Sequence, residues 1–490
     1  MQPLTRRSAL FLGGVGVLGV AAGGTGLVLN QSSGAGSAGA AGIVGTAGIA
    51  GGDLLEPPVL RSSNGMLSTT LESAAGSMRL AGRDVRALGY NGGIPGPTLR
   101  LRAGDTVEVA LQNALSDPTN LHVHGLRVSP NGNGDNPFVM IEPGGRFDYR
   151  YDLPADHEPG VYWYHPHHHG LTADQVFGGL YGAIIVEDTD PIPTTRERVL
   201  VISDITLTGS DTVAAAGSMQ KRAGREGDLV LVNGQFEPAL AARPGERERW
   251  RIVNACVSRY LRLRLDGQQL TLLGIDSGRF SDPREVEEVV LAPGNRADLL
   301  VTGQAGTSVL QSLGYDRSAG GMMGGGGSSS NAVTLARLTV AGDTVAAIGA
   351  IPEQPAPRDL RGAAVTARRE LVFAMGGMGG MGGMTATLNG RAFDPERVDT
   401  TVQFGSVEEW LLTNTSSIDH PLHLHVWPMQ IIERRGETVD AVLWQDVVNV
   451  PARGSTRVRI AFDTFSGRTV YHCHILDHED AGMMGVLLAR

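Results

Sequence analysis

The feature that most constrains the fold is a pattern that occurs three times along the chain. Each copy begins with an Asn-Gly pair, at Asn91-Gly92, Asn233-Gly234 and Asn389-Gly390, so the copies are 142 and 156 residues apart. A Gly-containing turn, a short alternating strand and another Asn follow in each copy. Short alternating strands bounded by Gly, Pro and Asn are typical of antiparallel sandwiches and barrels. An interval of this length is too long for a solenoid repeat.

The repeat predicts an all-β protein of three tandem β-sandwich domains, placed at 54–190, 195–345 and 365–490, with a linker at 346–364. Two alternating strands mark each copy. The predicted strands are Thr106–Leu111 and Phe147–Tyr151 in the first copy, Glu248–Val253 and Asp298–Val301 in the second, and Val407–Leu412 and Thr456–Phe462 in the third.

Composition excludes several classes of protein. Of the 490 residues, 41% are apolar, which is enough for several packed cores and excludes low-complexity disorder for most of the chain. The net charge of -10 argues against a nucleic-acid partner. Cys256 and Cys473 are the two cysteines, and a disulfide framework is excluded because one pair cannot staple a chain of this length.

The N-terminus resembles an export signal. Arg6 and Arg7 precede an apolar, Gly-rich run to Leu29. A twin arginine before such a run predicts a Tat-type signal peptide over 1–40 and a flexible Gly/Ala/Ser linker over 41–53. The expected location is the periplasm, the cell envelope or the outside of the cell. A retained anchor is the alternative, since the run is near the roughly 20 residues that span a bilayer. Its many glycines make it a weak span, and we expect no stable membrane partner.

The histidines are the informative side chains. None of the 13 lies before position 122 or between 170 and 419. Four His-x-His pairs stand out: His122/His124, His165/His167, His423/His425 and His472/His474. Residues i and i+2 of a strand face the same side, so each pair offers two imidazoles to one site. Eight imidazoles exceed the needs of one metal ion, which predicts a multinuclear site between the first and third domains. The middle domain has no histidine and is interpreted as a spacer.

Cys473 indicates a second site. It lies between His472 and His474 and should therefore point to the opposite face of the strand. Together with His420, His478 and Met483 it forms the His₂Cys set with a weak axial Met that is typical of blue-copper electron-transfer sites. A zinc site needs four ligands and would leave the paired histidines unexplained. Three histidines remain, and we interpret them as exposed residues or as residues that orient a ligand: His157, His168 and His169.

These motifs resemble those of the multicopper oxidases, specifically the three-domain bacterial type that includes laccases and periplasmic cuprous oxidases. The resemblance covers essentially the whole chain after residue 53 and implies three cupredoxin-like Greek-key domains with four copper ions. It implies a type 1 copper at His420, Cys473, His478 and Met483, and a type 2 copper at His122 and His423. It implies a type 3 pair at His124, His165, His167, His425, His472 and His474.

The resemblance also implies an activity. A reducing substrate is oxidised one electron at a time at the type 1 site, electrons pass along Cys473 to the cluster, and dioxygen is reduced by four electrons to water. Proton delivery requires an acid near the cluster. The candidates are Asp135 and Glu479, and the alternative for each is a solvated surface carboxylate.

The substrate is less clearly indicated. Four methionines recur every third residue between Gly-Gly pairs, at Met375, Met378, Met381 and Met384, and Met322-Met323 lies in another Gly-rich stretch. Thioethers select Cu(I), so the segment is a candidate Cu(I) loop. The alternative is a loop without function or a cover over the type 1 entrance.

One departure from the cuprous oxidases leaves the substrate open. They have an Asp and a Met at the positions of Ser416 and Ile418, while Asp419 is adjacent to His420. Phenols and aromatic amines therefore remain candidates beside Cu(I). We predict a monomeric, laccase-like enzyme with O₂ and a small reductant as partners and a role in copper tolerance. The alternative is a non-catalytic envelope protein that sequesters copper.

Overall fold

The computed structural model of the protein describes residues 50–318, 331–379 and 383–490, without the side chains of 377–384. The predicted signal peptide therefore lies outside the described residues. So do Met322, Met323 and the side chains of Met378, Met381 and Met384.

The described chain is almost entirely β-structure. Its first part contains β1 (Val59–Arg61), β2 (Met66–Leu80), β3 (Arg83–Tyr90), β4 (Thr98–Leu101), β5 (Thr106–Ala114), β6 (His122–His124), β7 (Arg146–Asp152), β8 (Gly160–His165), α1 (Thr172–Gly178) and β9 (Gly182–Val186). The middle part contains β10 (Arg196–Ile205), α2 (Ser218–Ala223), β11 (Leu229–Val232), β12 (Ala239–Ala242), β13 (Arg247–Asn254), β14 (Leu261–Leu265), β15 (Gln269–Ile275), β16 (Gly278–Val286), β17 (Glu288–Leu291), β18 (Arg296–Thr302), β19 (Gly306–Leu313) and β20 (Val333–Val340).

The last part contains β21 (Ala367–Gly379), β22 (Gly383–Leu388), β23 (Thr400–Val402), β24 (Val407–Asn414), β25 (His420–Leu424), β26 (Met429–Arg434), β27 (Glu437–Thr438), β28 (Trp444–Gln445), β29 (Val447–Val450), β30 (Ser455–Ala461), β31 (Gly467–Cys473), α3 (Leu476–Asp480) and β32 (Met484–Ala489). None of the helices in the described part of the chain is long and apolar enough to cross a membrane.

The strands form six sheets, two in each predicted domain range. The first pair has the orders β1-β4-β9-β8-β6 and β3-β2-β5-β7, and the second has β11-β10-β13-β18-β15-β16 and β12-β20-β19-β14-β17. The third pair has β22-β21-β24-β30-β26-β27, with β28 beside β26, and β23-β32-β31-β25-β29. The predicted all-β fold is confirmed, and all six strands predicted from the repeat are present.

Each pair of sheets encloses its own apolar core. Leu111, Tyr149 and Ile184 belong to the first core. Trp250 lies in the second core and Trp410 in the third. A further buried cluster contains residues of both the first and the middle ranges, so apolar packing continues across the boundary between them. Burial of apolar surface therefore stabilises both the separate sandwiches and their contact.

The Asn-Gly pairs form the same tight turn three times. Asn91, Asn233 and Asn389 have φ of 51°, 52° and 51°, and the following glycines have φ of 73° to 75°. Positive φ at both central residues is the hairpin geometry that Asn-Gly favours, because Asn tolerates this region and Gly has no Cβ to clash. The repeat in the sequence is thus a repeat of backbone conformation.

A second asparagine in each copy forms hydrogen bonds with two neighbouring loops. It lies at or near the end of β5, β13 or β24. The side chain of Asn254 donates to the carbonyls of Arg259 and Leu291 and accepts from the amide of Cys256. Asn113 and Asn414 make the equivalent contacts in the other two copies. Each buried amide therefore satisfies backbone groups at a point where two loops meet.

We expect Asn254→Ala to lower the free energy of unfolding by about 2–3 kcal/mol, because it leaves buried backbone groups without partners. Urea denaturation followed by circular dichroism measures this. The control is Gln304→Ala, which removes an exposed side chain from the same part of the chain. Equal stability of the two variants would contradict the role given to the asparagine.

Candidate metal centres

The first two His-x-His pairs lie on neighbouring antiparallel strands. β6 carries His122 and His124, and β8 ends at His165, which is the register partner of His122. His167 follows two residues later. The alternation of side chains along β6 turns both of its imidazoles to one side, as predicted.

The other two pairs repeat this arrangement in the last part of the chain. β25 contains His423, and His425 follows it, while His472 of β31 is the register partner of His423. His474 lies just beyond the end of β31. All eight imidazoles are buried, and they converge on one region between these two strand pairs.

The eight imidazoles form three groups of close nitrogens. Nε2 of His122 lies 3.3 Å from Nε2 of His423. The second group is His124, His165 and His474, and the third is His167, His425 and His472. The ligand atoms within each triad lie within 4.8 Å of one another. His124 also lies close to His122 and His423, since the ligand atoms of these three lie within 4.8 Å of one another. The groups are compatible with the type 2 ion and the type 3 pair that the resemblance implies.

Outward hydrogen bonds determine which nitrogen most of these rings turn inward. Nδ1 of His165 donates to the carbonyl of Pro166 over 2.8 Å, and Nδ1 of His423 donates to the carbonyl of Asp446 over 2.8 Å. His472 donates in the same way to the carbonyl of Cys473. In each case the lone pair of Nε2 is left for the interior. Such outer contacts fix the tautomer and orientation of metal-binding histidines.

The residues present fit a metal. Neither ring nitrogen of His474 has a hydrogen-bond partner among the described residues. Nε2 of His472 lies 3.1 Å from Nε2 of His167 and 3.2 Å from Nε2 of His425, where inward lone pairs would repel one another without a cation. Burial lowers the pKa of His165 to about 3 and that of His167 to about 4, so these imidazoles are neutral ligands at neutral pH. Imidazole donors suit copper.

The predicted second site lies on the other face of β31. Sγ of Cys473 is 3.4 Å from Nδ1 of His420 and 3.9 Å from Nδ1 of His478, and the three form one buried group. Nε2 of His478 donates to the carbonyl of Arg222 over 3.1 Å, which leaves Nδ1 for a metal. Met483 is buried in the same core, and its carbonyl accepts from the amide of Cys473. The structure brings the two imidazoles and the thiol of the predicted set together and places Met483 in the same core.

Asp135 lies beside the cluster. It is 2% exposed, and its carboxylate accepts from Nδ1 of His122 over 2.8 Å and from the amide of Val123. Its second oxygen lies 3.6 Å from Nδ1 of His425. The alternative of a solvated surface carboxylate is therefore wrong for this residue.

Glu479 lies on the opposite side of the cluster. It is fully buried, accepts from Oγ1 of Thr172, and has oxygens 3.6 Å from Nε2 of His167 and 3.1 Å from Nδ1 of His472. Burial raises the pKa of Glu479, but the neighbouring His167 and His472 outweigh it and hold the pKa well below its usual range. The surface alternative is wrong here as well.

The remaining histidines lie outside the cluster. His168 is half-buried, and His169 is exposed and packs on Phe393. His157 differs from the prediction: it is buried, accepts from the amide of Arg127, and donates to the carbonyl of Glu158. Those two contacts occupy both of its ring nitrogens, so His157 links the backbone at Arg127 to the backbone at Glu158.

Other residues at the two sites were missed by sequence reasoning. Asp446 contacts two of the histidines, Ser416 lies 2.8 Å from Nε2 of His420, and Thr172 bonds to Glu479. No local motif marks Asp446 or Thr172, because each meets its partner through the tertiary fold, whereas Ser416 is only four residues from His420. Asp419 is turned away from the type 1 site, since its carboxylate accepts from the hydroxyl of Tyr315 and from Asn449 and Ala452.

The geometry and the comparisons agree on the class of protein. Three family models, each described as multicopper oxidase, match residues 74–191, 196–309 and 365–490. The chain belongs to the multicopper oxidase family. It is therefore a copper-dependent oxidoreductase that uses O₂.

Individual relatives cover most of the chain. It is similar to the multicopper oxidase mco of Staphylococcus aureus, with 28% identity over 87% of this chain and 89% of that protein. Among solved structures it is similar to a Campylobacter jejuni multicopper oxidase titled a metallo-oxidase, with 30% identity, a TM-score of 0.80, and coverage of 90% and 96%. It is also similar to a laccase-like multi-copper oxidase of Ochrobactrum sp. with activity towards lignin model compounds, with 25% identity, a TM-score of 0.77, and coverage of 89% and 100%.

We expect Cys473→Ser to abolish the intense blue thiolate-to-copper absorption and to remove one copper per chain, because the serine hydroxyl stays protonated. Visible spectroscopy and metal analysis of the purified protein measure both effects. Cys256→Ser is the matched control, since Cys256 is equally buried but lies near none of the histidines of the groups above. Retention of the blue band in Cys473→Ser would contradict the assignment.

Proposed function

We propose that the protein is a cuprous oxidase that couples oxidation of Cu(I) to reduction of O₂ to water and so contributes to copper tolerance. In this proposal His420, Cys473, His478 and Met483 hold the type 1 copper. His122 and His423 hold the type 2 copper. The remaining six imidazoles of the cluster hold the type 3 pair.

Bound copper supplies one-electron redox chemistry at the first site and reduction of O₂ at the cluster. Cys473 is bonded through the backbone to His472 and His474, so a path of covalent bonds joins the two sites. This path does not depend on contact between loops, because one strand end provides all three side chains. A protein that only sequesters copper has no use for such a path, and the sequestering alternative is not favoured.

One observation carries the choice of substrate: the type 1 imidazoles are fully buried, and the Met-bearing segments begin beside them. His420 and His478 are each 0% exposed. The carbonyl of Arg222, at the end of α2, covers Nε2 of His478. On the outer side of the same helix, Met219 is 74% exposed. A bulky aromatic donor cannot touch either imidazole in this arrangement, whereas a small ion bound by thioethers needs only a short approach.

The described flanks of both Met-bearing segments lie against His420. The ring of Phe373 stacks on His420 at 5.9 Å, and Met375, two residues later, packs against the core that holds Cys473 and Met483. Ser318 forms a β-bridge with Ile418, just before the segment that contains Met322. Thioethers are soft ligands that select Cu(I), so both segments are suited to deliver it.

Phenols and aromatic amines are the second candidate class. The similarity to the Ochrobactrum enzyme, which acts on lignin model compounds, favours them. Such donors would transfer electrons through the protein groups that cover His420 and His478. We also propose Tat-dependent export to the periplasm or cell envelope, supported by Arg6 and Arg7, and a monomeric state.

Asp135 and Glu479 are the proposed proton carriers. Each is buried within 3.6 Å of imidazoles from both strand pairs, and the reduction of O₂ to water consumes protons in the same region. A positioned carboxyl group of this kind accelerates proton transfer by about 10²- to 10⁴-fold.

We expect replacement of Met375, Met378, Met381 and Met384 by Ser to lower kcat/KM for Cu(I) by at least about tenfold, because the soft ligands that capture the ion are lost. Kcat/KM for a substituted phenol should stay within about twofold. Oxygen uptake by the copper-loaded protein, at matched concentrations of both donors, measures the two values.

Met66→Ser is the control for the methionine variant, since Met66 is exposed on β2 in the first part of the chain. Unchanged Cu(I) turnover in the fourfold variant, with phenol oxidation dominant in every protein, would identify a laccase. Absence of oxygen uptake with any donor by the fully loaded protein would support sequestration.

We expect Glu479→Gln to slow O₂ consumption by about 10²-fold or more, because the amide cannot carry a proton. The blue absorption of the oxidised protein should be retained, and the type 1 site should stay reduced during turnover. Stopped-flow spectroscopy separates reduction from reoxidation. Glu409→Gln is the matched control, since Glu409 is a buried carboxylate on β24 that is paired with Arg459.

A further inference from the structure

The middle part of the chain, which supplies no histidine, reaches the cluster through one turn. This turn joins β17 to β18 and contains Gly294, and Arg296 directly follows it as the first residue of β18. Gly294 has φ of 86°, and a Cβ there would lie 2.8 Å from Cε1 and Nε2 of His474. Only glycine lets the backbone pass this close to the imidazole of His474, so the turn packs directly against one of the cluster histidines.

Arg296 extends from this turn into the contact between all three parts of the chain. It is fully buried, and its Nε donates to the carbonyl of Val161 in β8. Its Nη1 donates to Asp446 over 2.6 Å, and Nη2 donates to the second oxygen of the same carboxylate. Such a bidentate contact fixes the plane of a carboxylate as well as its position.

Asp446 in turn contacts two cluster histidines. Its Oδ1 accepts from Nε2 of His124 over 3.1 Å, and its carbonyl accepts from Nδ1 of His423 over 2.8 Å. His124 is thereby held with Nδ1, not Nε2, towards His165 at 3.4 Å. The rings of His124 and His423 stack at 3.7 Å, so one residue orients two adjacent imidazoles.

A second carboxylate holds Arg296 in place. Asp276 lies 3.3 Å from Nη1 of Arg296 and accepts from its backbone amide. It also accepts from the side chain of Asn295 and from the amide of Val447, next to Asp446. The guanidinium is thus held between two buried carboxylates, one from the middle part of the chain and one from the last part.

We propose that Arg296 is a positioning residue of the trinuclear site. It locks the carboxylate of Asp446, and through Asp446 it selects the ring nitrogen that His124 presents to the metal. The middle domain is then more than a spacer, because it orients a ligand that it does not itself provide. The proposal rests on the proposed assignment of the eight histidines as copper ligands.

A purely structural ion pair is the competing explanation. Breaking a buried pair by removing one partner is strongly destabilising wherever the pair lies. Arg249 provides the matched control: it is 3% exposed, lies on β13 beside β18, and is paired with Asp298 and Asp188. Its removal breaks a comparable pair in the same sheet without touching Asp446 or a histidine.

The test compares Arg296→Gln, Arg249→Gln, Asp446→Asn and the double variant of Arg296 and Asp446 as copper-loaded full-length proteins. Total copper per chain, the share of copper silent in electron paramagnetic resonance, and the blue absorption are measured. A magnetically coupled type 3 pair is silent, and the blue band reports the type 1 site. Removing outer contacts of ligands typically weakens metal binding by about 10- to 100-fold.

We expect Arg296→Gln to lose the silent pair and to bind cluster copper about 10- to 100-fold more weakly while the blue band is retained. Asp446→Asn should do the same, and the double variant should add little, since Arg296 acts through Asp446. Arg249→Gln should keep both signals. A normal silent pair in Arg296→Gln, or an equal loss in Arg249→Gln, would overturn the proposal.

Arg296→Lys decides the case in which Arg296→Gln does not fold. Lysine keeps the positive charge between the two carboxylates but cannot form the bidentate contact. Loss of the silent pair in this variant supports the proposal, and an unaltered pair overturns it. Failure of the wild-type protein to bind four coppers would instead contradict the proposed function, so the two failures are distinguishable.

Discussion

The alternation of side chains along the end of β31 is the constraint on which the two metal centres depend. A strand turns successive residues to opposite faces. Cys473 therefore faces His420 and His478, while His472 and His474 face the other six imidazoles. No other spacing of a thiol between two imidazoles would join the sites so directly. Three features hold this segment in place. They are the pair of sheets in the last part of the chain, the register of β25 with β31, and the buried core around Met483.

Electrostatics makes the cluster a site that requires a cation. Eight imidazoles are packed in the interior, and burial lowers the pKa of seven of them, which are His122, His124, His165, His167, His423, His425 and His474. Outward hydrogen bonds to carbonyls and carboxylates leave inward lone pairs that face one another at 3.1–3.4 Å. The side chains of Asp135 and Glu479 are buried at the edge of the cluster. The fold holds these lone pairs close together, which favours the binding of a metal ion between them.

The three similar sandwiches have different tasks. The first and last provide the imidazoles, and the last alone provides the thiol. The middle one is built by the same Asn-Gly turn and the same buried asparagine, yet it contributes Gly294, Arg296 and the carbonyl of Arg222 instead of ligands. A repeat can thus keep its backbone while its side chains change from binding metal to orienting the groups that do.

The sequence by itself determined the fold class and the threefold repeat, because strand periodicity and turn chemistry are local, and its motifs predicted the residues of each metal site. It also indicated Asp135 and Glu479, but not that both are buried. Only the tertiary structure decided which of the eight imidazoles lie close to one another, and which ring nitrogen most of them turn inward. The contacts of Asp446 with His124, of Arg296 with Asp446 and of His157 with Arg127 likewise join residues that are well separated in sequence. Such partners leave no local pattern, since burial and hydrogen bonding arise only when the separate sheets pack together.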